Sequence, residues 1–115
     1  MENEPKEKWF QPGKGTATPW GKADCCTKYA TGIISYSTPS HGGYHLSLGR
    51  MKQLPEMIQE YWDSSCPWFE EDCNWALVVL AFPQYFTYEH HEDAIRTVRQ
   101  WHKNFDIDKY LAYHP

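Results

Sequence analysis

Cys25-Cys26-Thr27-Lys28-Tyr29-Ala30-Thr31-Gly32-Ile33-Ile34-Ser35-Tyr36-Ser37-Thr38-Pro39-Ser40-His41-Gly42-Gly43-Tyr44-His45-Leu46-Ser47-Leu48 is the stretch on which the fold turns. β-Branched and aromatic side chains dominate it, and Gly and Pro punctuate it, which is the composition of short strands joined by turns. Three strands are predicted: Cys25 to Ala30, Ile33 to Ser37 and Tyr44 to Leu48. Thr31-Gly32 makes the first, tight turn and residues 38–43 the second, longer one. Connections this short cannot return a chain to a parallel neighbour, so the pairing is antiparallel.

Helical spacing takes over downstream. Leu54, Met57, Ile58, Tyr61 and Trp62 recur at three- and four-residue steps and predict a helix from about Pro55 to Asp63. Pro55 suits its first turn, where a missing N–H costs nothing, and Ser64-Ser65-Cys66-Pro67 breaks it. A second helix is expected to begin around Phe69 to Asp72 and to stop at Pro83, with Glu70, Glu71 and Asp72 in its first turn facing the positive end of the dipole. Residues 75–82 are apolar all round, which belongs at the centre of a domain. A last helix, about Glu92 to Lys103, puts Ala94, Ile95, Val98, Trp101 and Phe105 on one face, with His90-His91 as a solvated loop pair before it. The expectation is an α+β fold, a three-stranded antiparallel sheet followed by about three helices packed on one face.

At 115 residues the chain has material for one core. Residues 1–18 carry only Trp9 and Phe10 as apolar anchors and read as a flexible or draped arm, with 19–115 forming a single compact domain. An aromatic share of 17% opposes disorder. No apolar run approaches the roughly 18–20 residues that cross a bilayer, and the amino end lacks the apolar stretch of a secretory signal, so a cytoplasmic address is expected. Cys25, Cys26, Cys66 and Cys73 are expected reduced, since adjacent cysteines bond each other poorly. Without a Cys-x-x-Cys pair no metal is expected, and no cofactor is implied. Net charge is −4, and no Lys or Arg occurs between Gln53 and Ile95, which argues against broad nucleic-acid binding there.

Two segments concentrate polar chemistry. In Ser37-Thr38-Pro39-Ser40-His41-Gly42-Gly43, hydroxyls, an imidazole and glycine amides sit together, a set that can line an anion and equally one that shapes a hairpin. In Glu70-Glu71-Asp72 a carboxylate can orient or deprotonate His41, or simply complement a helix start. Ser40 and His41 are adjacent, so on extended backbone they face opposite sides, which opposes a Ser-His-acid nucleophile. Trp62, Trp75 and Trp101 read as core; Trp20 and Trp68 lie in loops and are candidates for a pocket wall.

The order Pro19-Trp20-Gly21-x-Ala23, Tyr29-Ala30-x-Gly32-Ile33, Ser37-Thr38-Pro39-Ser40-His41-Gly42-Gly43-x-x-Leu46-Ser47, a Pro-led helix, and Trp68-Phe69-Glu70-Glu71-Asp72-x-x-Trp75-Ala76 ending in Ala81-Phe82-Pro83 resembles a domain family of unknown function. That family is similar in length and met mainly on plasmids, phages and other mobile elements. The resemblance covers about Thr18 to Trp101 and implies that His41, Gly42, Gly43, Glu71 and Asp72 form one site; Phe69 stands where relatives more usually have Tyr. The expected function is a binding or inhibitor module acting inside the host, on a host protein or a small nucleotide ligand, through Trp20, Ser37, Thr38, Ser40, His41, Gly42, Gly43, Glu70 and Glu71. The alternative is a phosphoester or nucleotide hydrolase using His41 with Glu71 or Asp72, which needs the imidazole within about 8 Å of a carboxylate of that segment.

Overall fold

The structure, a computed structural model, describes residues 15–114, so most of the expected arm lies outside the described residues. It is a mixed α/β fold with five helices and two antiparallel sheets. A small hairpin pairs β1 (Ala17–Thr18) with β2 (Gly21–Lys22). The main sheet has the order β3-β4-β5-β6, built from Cys25–Ala30, Ile33–Ser37, Gly42–Leu46 and Trp68–Glu70.

β3 and β4 have the predicted bounds, and every neighbour is antiparallel. The turn between them needs Gly32: its φ is +82°, and a Cβ there would lie 2.4 Å from the Ser47 hydroxyl oxygen. The third strand departs from expectation, running from Gly42 to Leu46 rather than from Tyr44 to Leu48. Gly42 and Gly43 pair with Ser37 and Tyr36, and Ser47 caps a short helix α1 (Leu48–Lys52) by accepting from the Arg50 amide. Glycine is a poor strand residue, yet here close packing selects it, because a Cβ on Gly43 would come within 2.3 Å of the Phe69 carbonyl oxygen and 2.6 Å of the Trp20 ring.

The fourth strand corrects the predicted helix start. Residues 68–70 pair with β5, Phe69 opposite Tyr44, so Glu70 ends a strand, and Glu71 and Asp72 lie in the turn that follows. Helix α3 spans only Trp75–Ala81, with Ala76 to Leu80 buried, and it occupies the centre of the core as its apolar run requires. α2 is Glu56–Tyr61, inside the predicted range. α4 begins four residues earlier than expected and covers Tyr88–Trp101, with Thr87 capping the His90 amide, so His90 and His91 belong to a helix and not a loop. A further helix, α5 (Ile107–Tyr113), buries Ile107 and Tyr110.

The two faces of the sheet are both covered. On one, Ile33, Tyr44, Leu46 and Phe69 join the main core with α3, α4 and α5. On the other, Ile34 and Tyr36 pack with Ala23, Cys26 and Trp68. Trp101, expected in the core, is 62% exposed; the inward position at that end of α4 goes to His102. A carbonyl can only accept, so His102 Nε2 carries the proton shared with the Cys73 carbonyl at 3.1 Å, and in the neutral ring Nδ1 accepts from the Tyr61 hydroxyl at 2.6 Å. Polar satisfaction makes that imidazole as good a core element as an indole.

Candidate functional site

Strand alternation sets the site. Ile33, Ser35 and Ser37 share one face of β4, opposite Leu46, Tyr44 and Gly42 of β5. Ile33 is fully buried, but exposure rises along the strand through Ser35 to Ser37, and the two serines line a cleft of about 370 Å³. Tyr29 and Tyr44 stand on its sheet side, ring centroids 5.6 Å apart and edge to face, while Trp75 and His90, 5.5 Å apart, stand on its helix side. Phe86 packs behind both walls, within 4.9 Å of Tyr29 and 5.6 Å of His90. Glu71 also lines the cleft, and no Lys or Arg is among the described residues lining it.

His41 and Glu71, far apart in sequence, are neighbours: Nδ1 lies 3.6 Å from the Glu71 carboxylate. Strand register brings this about, because the Glu71 amide donates to the Gly42 carbonyl at 2.9 Å and so extends the β5–β6 ladder past Glu70. Both side chains are about half exposed, 57% and 50%, so water screens the pair. The Thr38 hydroxyl donates to the His41 carbonyl at 2.7 Å and accepts from the His41 amide, so Thr38 shapes the turn; Ser40 is exposed on it. Gly42 and Gly43 are buried within β5 between two neighbouring strands, so their amides point along the sheet and do not form an outward anion cradle. Trp20 lies on the opposite face, edge-on to Trp68 at 5.6 Å, and is no wall of the cleft; nor is Trp68.

Glu70 has a local task. Its carboxylate accepts from the amides of Asp72 at 2.9 Å and Cys73 at 3.0 Å, closing the turn before α3. Burial works to raise its pKa, but the amides of Asp72, Cys73 and Asn74 together with the Cys73 thiol outweigh that and hold it below the usual carboxylate range. Burial, with Glu70 beside it, pushes the Cys73 thiol up to about 11, so it is no thiolate nucleophile at neutral pH. All four cysteines are free thiols. Tyr44 is held protonated by burial and by its contact with the Tyr29 hydroxyl. Among the described residues no three His, Cys, Asp or Glu side chains are grouped to hold a metal ion, and no helix is long and apolar enough to cross a membrane.

Of the residues singled out from sequence, Ser37, Gly43 and Glu71 line the cleft and His41 borders it through Glu71. Tyr29, Ser35 and Tyr44, which also line it, were not singled out, while Trp75 reads from sequence as core and His90 as one of a solvated loop pair. Ser35 left one legible signal: a polar residue two positions from Ile33 on the core-facing side of a central strand. Tyr29 and His90 left none, since only the meeting of sheet and helices brings them together.

A four-stranded antiparallel sheet with helices over one face, and an aromatic and hydroxyl-lined cleft that also holds a carboxylate, defines a small mixed α/β domain. The chain belongs to the family described as a domain of unknown function, DUF7007, whose model matches residues 13–108. No curated protein and no solved structure matches it.

Proposed function

We propose that this chain is a small binding or inhibitor module, carried by a plasmid or phage and acting inside the host cell on a host protein or a small nucleotide ligand. The observation that carries this reading is the convergence of Ser37, Gly43 and Glu71 on one cleft with the Tyr29–Tyr44 and Trp75–His90 pairs. A space of about 370 Å³ suits one small ligand or one inserted side chain. Rings supply area, while the serines and Glu71 supply orientation. The motif order described above supports a mobile-element setting, and with it counter-defence: inhibition of a nuclease-based defence such as CRISPR or restriction, or nucleotide sequestration. Trp75 is a built-in reporter. Titration with nucleosides and with cyclic and linear nucleotides, followed by tryptophan fluorescence, together with capture from host lysate, tests the reading. Saturation by one probe, or one stoichiometric partner, is expected; neither appearing would remove it.

The 3.6 Å separation of His41 and Glu71 favours a second reading, a phosphoester or nucleotide hydrolase with His41 as acid or base. Asp72, exposed in the same turn, is the other carboxylate considered. In that reading the wild-type protein turns over a phosphoester or nucleotide panel and His41→Gln lowers kcat by about 100-fold or more, as loss of a general acid or base does. Absence of wild-type turnover would dispose of it.

A further inference from the structure

Resting on the binding reading, we infer that the cleft between β4 and the starts of α3 and α4 is a socket for a guanidinium group, presented as the arginine side chain of a partner protein. The cleft offers what a planar cation needs. Aromatic rings stand on two sides, Tyr29 and Tyr44 against Trp75 and His90, and a delocalised planar cation stacks on the face of such a ring. Glu71 supplies a carboxylate whose one ion-pair partner among the described residues, His41, is at 3.6 Å, longer than a hydrogen bond, so its oxygens can turn to a fork of N–H donors. Ser35 and Ser37 add hydroxyls that accept the remaining donors.

Charge selects against the opposite ligand. A phosphate in this cleft would meet Glu71 with no Lys or Arg in the lining to offset it. The start of α4 would favour an anion, but Thr87 already accepts from the His90 amide and Glu89 occupies the first turn. Neighbouring amides at the turn before α3 are likewise occupied by the Glu70 carboxylate. Lysine fits less well than arginine, because an ammonium neither stacks nor bonds a carboxylate through two parallel donors. The long acidic interval from residue 53 to 95 also attracts a basic partner at a distance.

The probe is the blocked tripeptide Gly-Arg-Gly, compared with its citrulline and lysine counterparts, with adenosine and with AMP, on the full chain by tryptophan fluorescence and calorimetry. The arginine peptide is expected to saturate, and the citrulline peptide, equal in shape but uncharged, to bind about tenfold more weakly or worse. Glu71→Gln, at a half-exposed position, is expected to fold with an unchanged melting temperature and to lose about tenfold for the arginine peptide only. Citrulline binding as well as arginine, or Glu71→Gln binding arginine undiminished, overturns the inference. Saturation by adenosine or AMP with no response to arginine overturns it too but leaves the binding reading standing. No response to any probe and no captured partner takes both away.

Discussion

His45 shows how one side chain can carry a pH dependence. It lies in β5 on the face of the small second core, with its ring 4.4 Å from that of Trp68, and burial pushes its pKa down to about 4. An unfolded histidine titrates near 6.5, so above that pH neither state is charged and the full stability is present. Between pH 6.5 and 4 the unfolded chain takes up a proton that folded His45 refuses, and stability falls by up to about 3 kcal/mol. Urea unfolding at steps from pH 7.5 to 4 should trace this loss, and His45→Gln should flatten it. An identical slope in the variant would assign the dependence to other groups. Position 45 reads from sequence as a residue of the third predicted strand; its partner Trp68 on the unforeseen fourth strand makes it a core group.

At the scale of elements, the turn from β6 into α3 is where sequence reasoning and structure part most clearly. Acidic residues before an apolar run look like the first turn of a helix, and the same residues here end a strand. Three residues of alternation are too few to read as a strand, since Trp68 and Phe69 look equally apolar until pairing with β5 sends one to each face. Glu70 then replaces a helix-dipole contact with direct bonds to two amides. Glu70→Gln keeps the shape but puts an NH2, which cannot accept, in place of one of the two accepting oxygens and removes the charge from the other bond, and a fall of about 1–2 kcal/mol in unfolding free energy is expected. Denaturant midpoint at pH 7 measures it. Because the turn carries Glu71 toward the cleft, ligand binding should weaken in this variant as well.

The whole molecule is tied together by a residue that sequence inspection passed over. Arg50 is 1% exposed, and its guanidinium donates to the Thr31 carbonyl in the β3–β4 turn at 2.9 Å, to Gln53 at 2.9 Å and to the Tyr85 hydroxyl at 3.2 Å. It also stands over the rings of Phe82 and Tyr85. One side chain therefore links a sheet turn, α1 and the segment that leaves α3. Arg50→Met is expected to cost about 2–4 kcal/mol, with the melting temperature down by roughly 10 °C or more, because three hydrogen bonds from one buried guanidinium are lost together. Arg50→Lys should restore little, as an ammonium is a compact point charge that cannot reach, from one end, the three separate partners the guanidinium nitrogens serve. Recovery of the wild-type melting temperature by lysine would show that charge alone, not the fork, matters.

What the amino-acid sequence determined by itself is what local physics controls. Periodicity and turn chemistry fix β3, β4 and the Gly32 turn between them, and an apolar run without a polar face makes α3 the buried centre. The same local signals singled out His41 and Glu71, but their 3.6 Å approach needed the β5–β6 register, the pairing of Gly43, Tyr44 and His45 with Glu70, Phe69 and Trp68. Only tertiary structure decided that glycines would line a central strand, that His102 rather than Trp101 would turn inward, and that tyrosines from the sheet would face Trp75 and His90 across a cleft. Each of these depends on what a distant segment leaves room for or satisfies by hydrogen bonding, and neither quantity is written in the spacing of nearby residues.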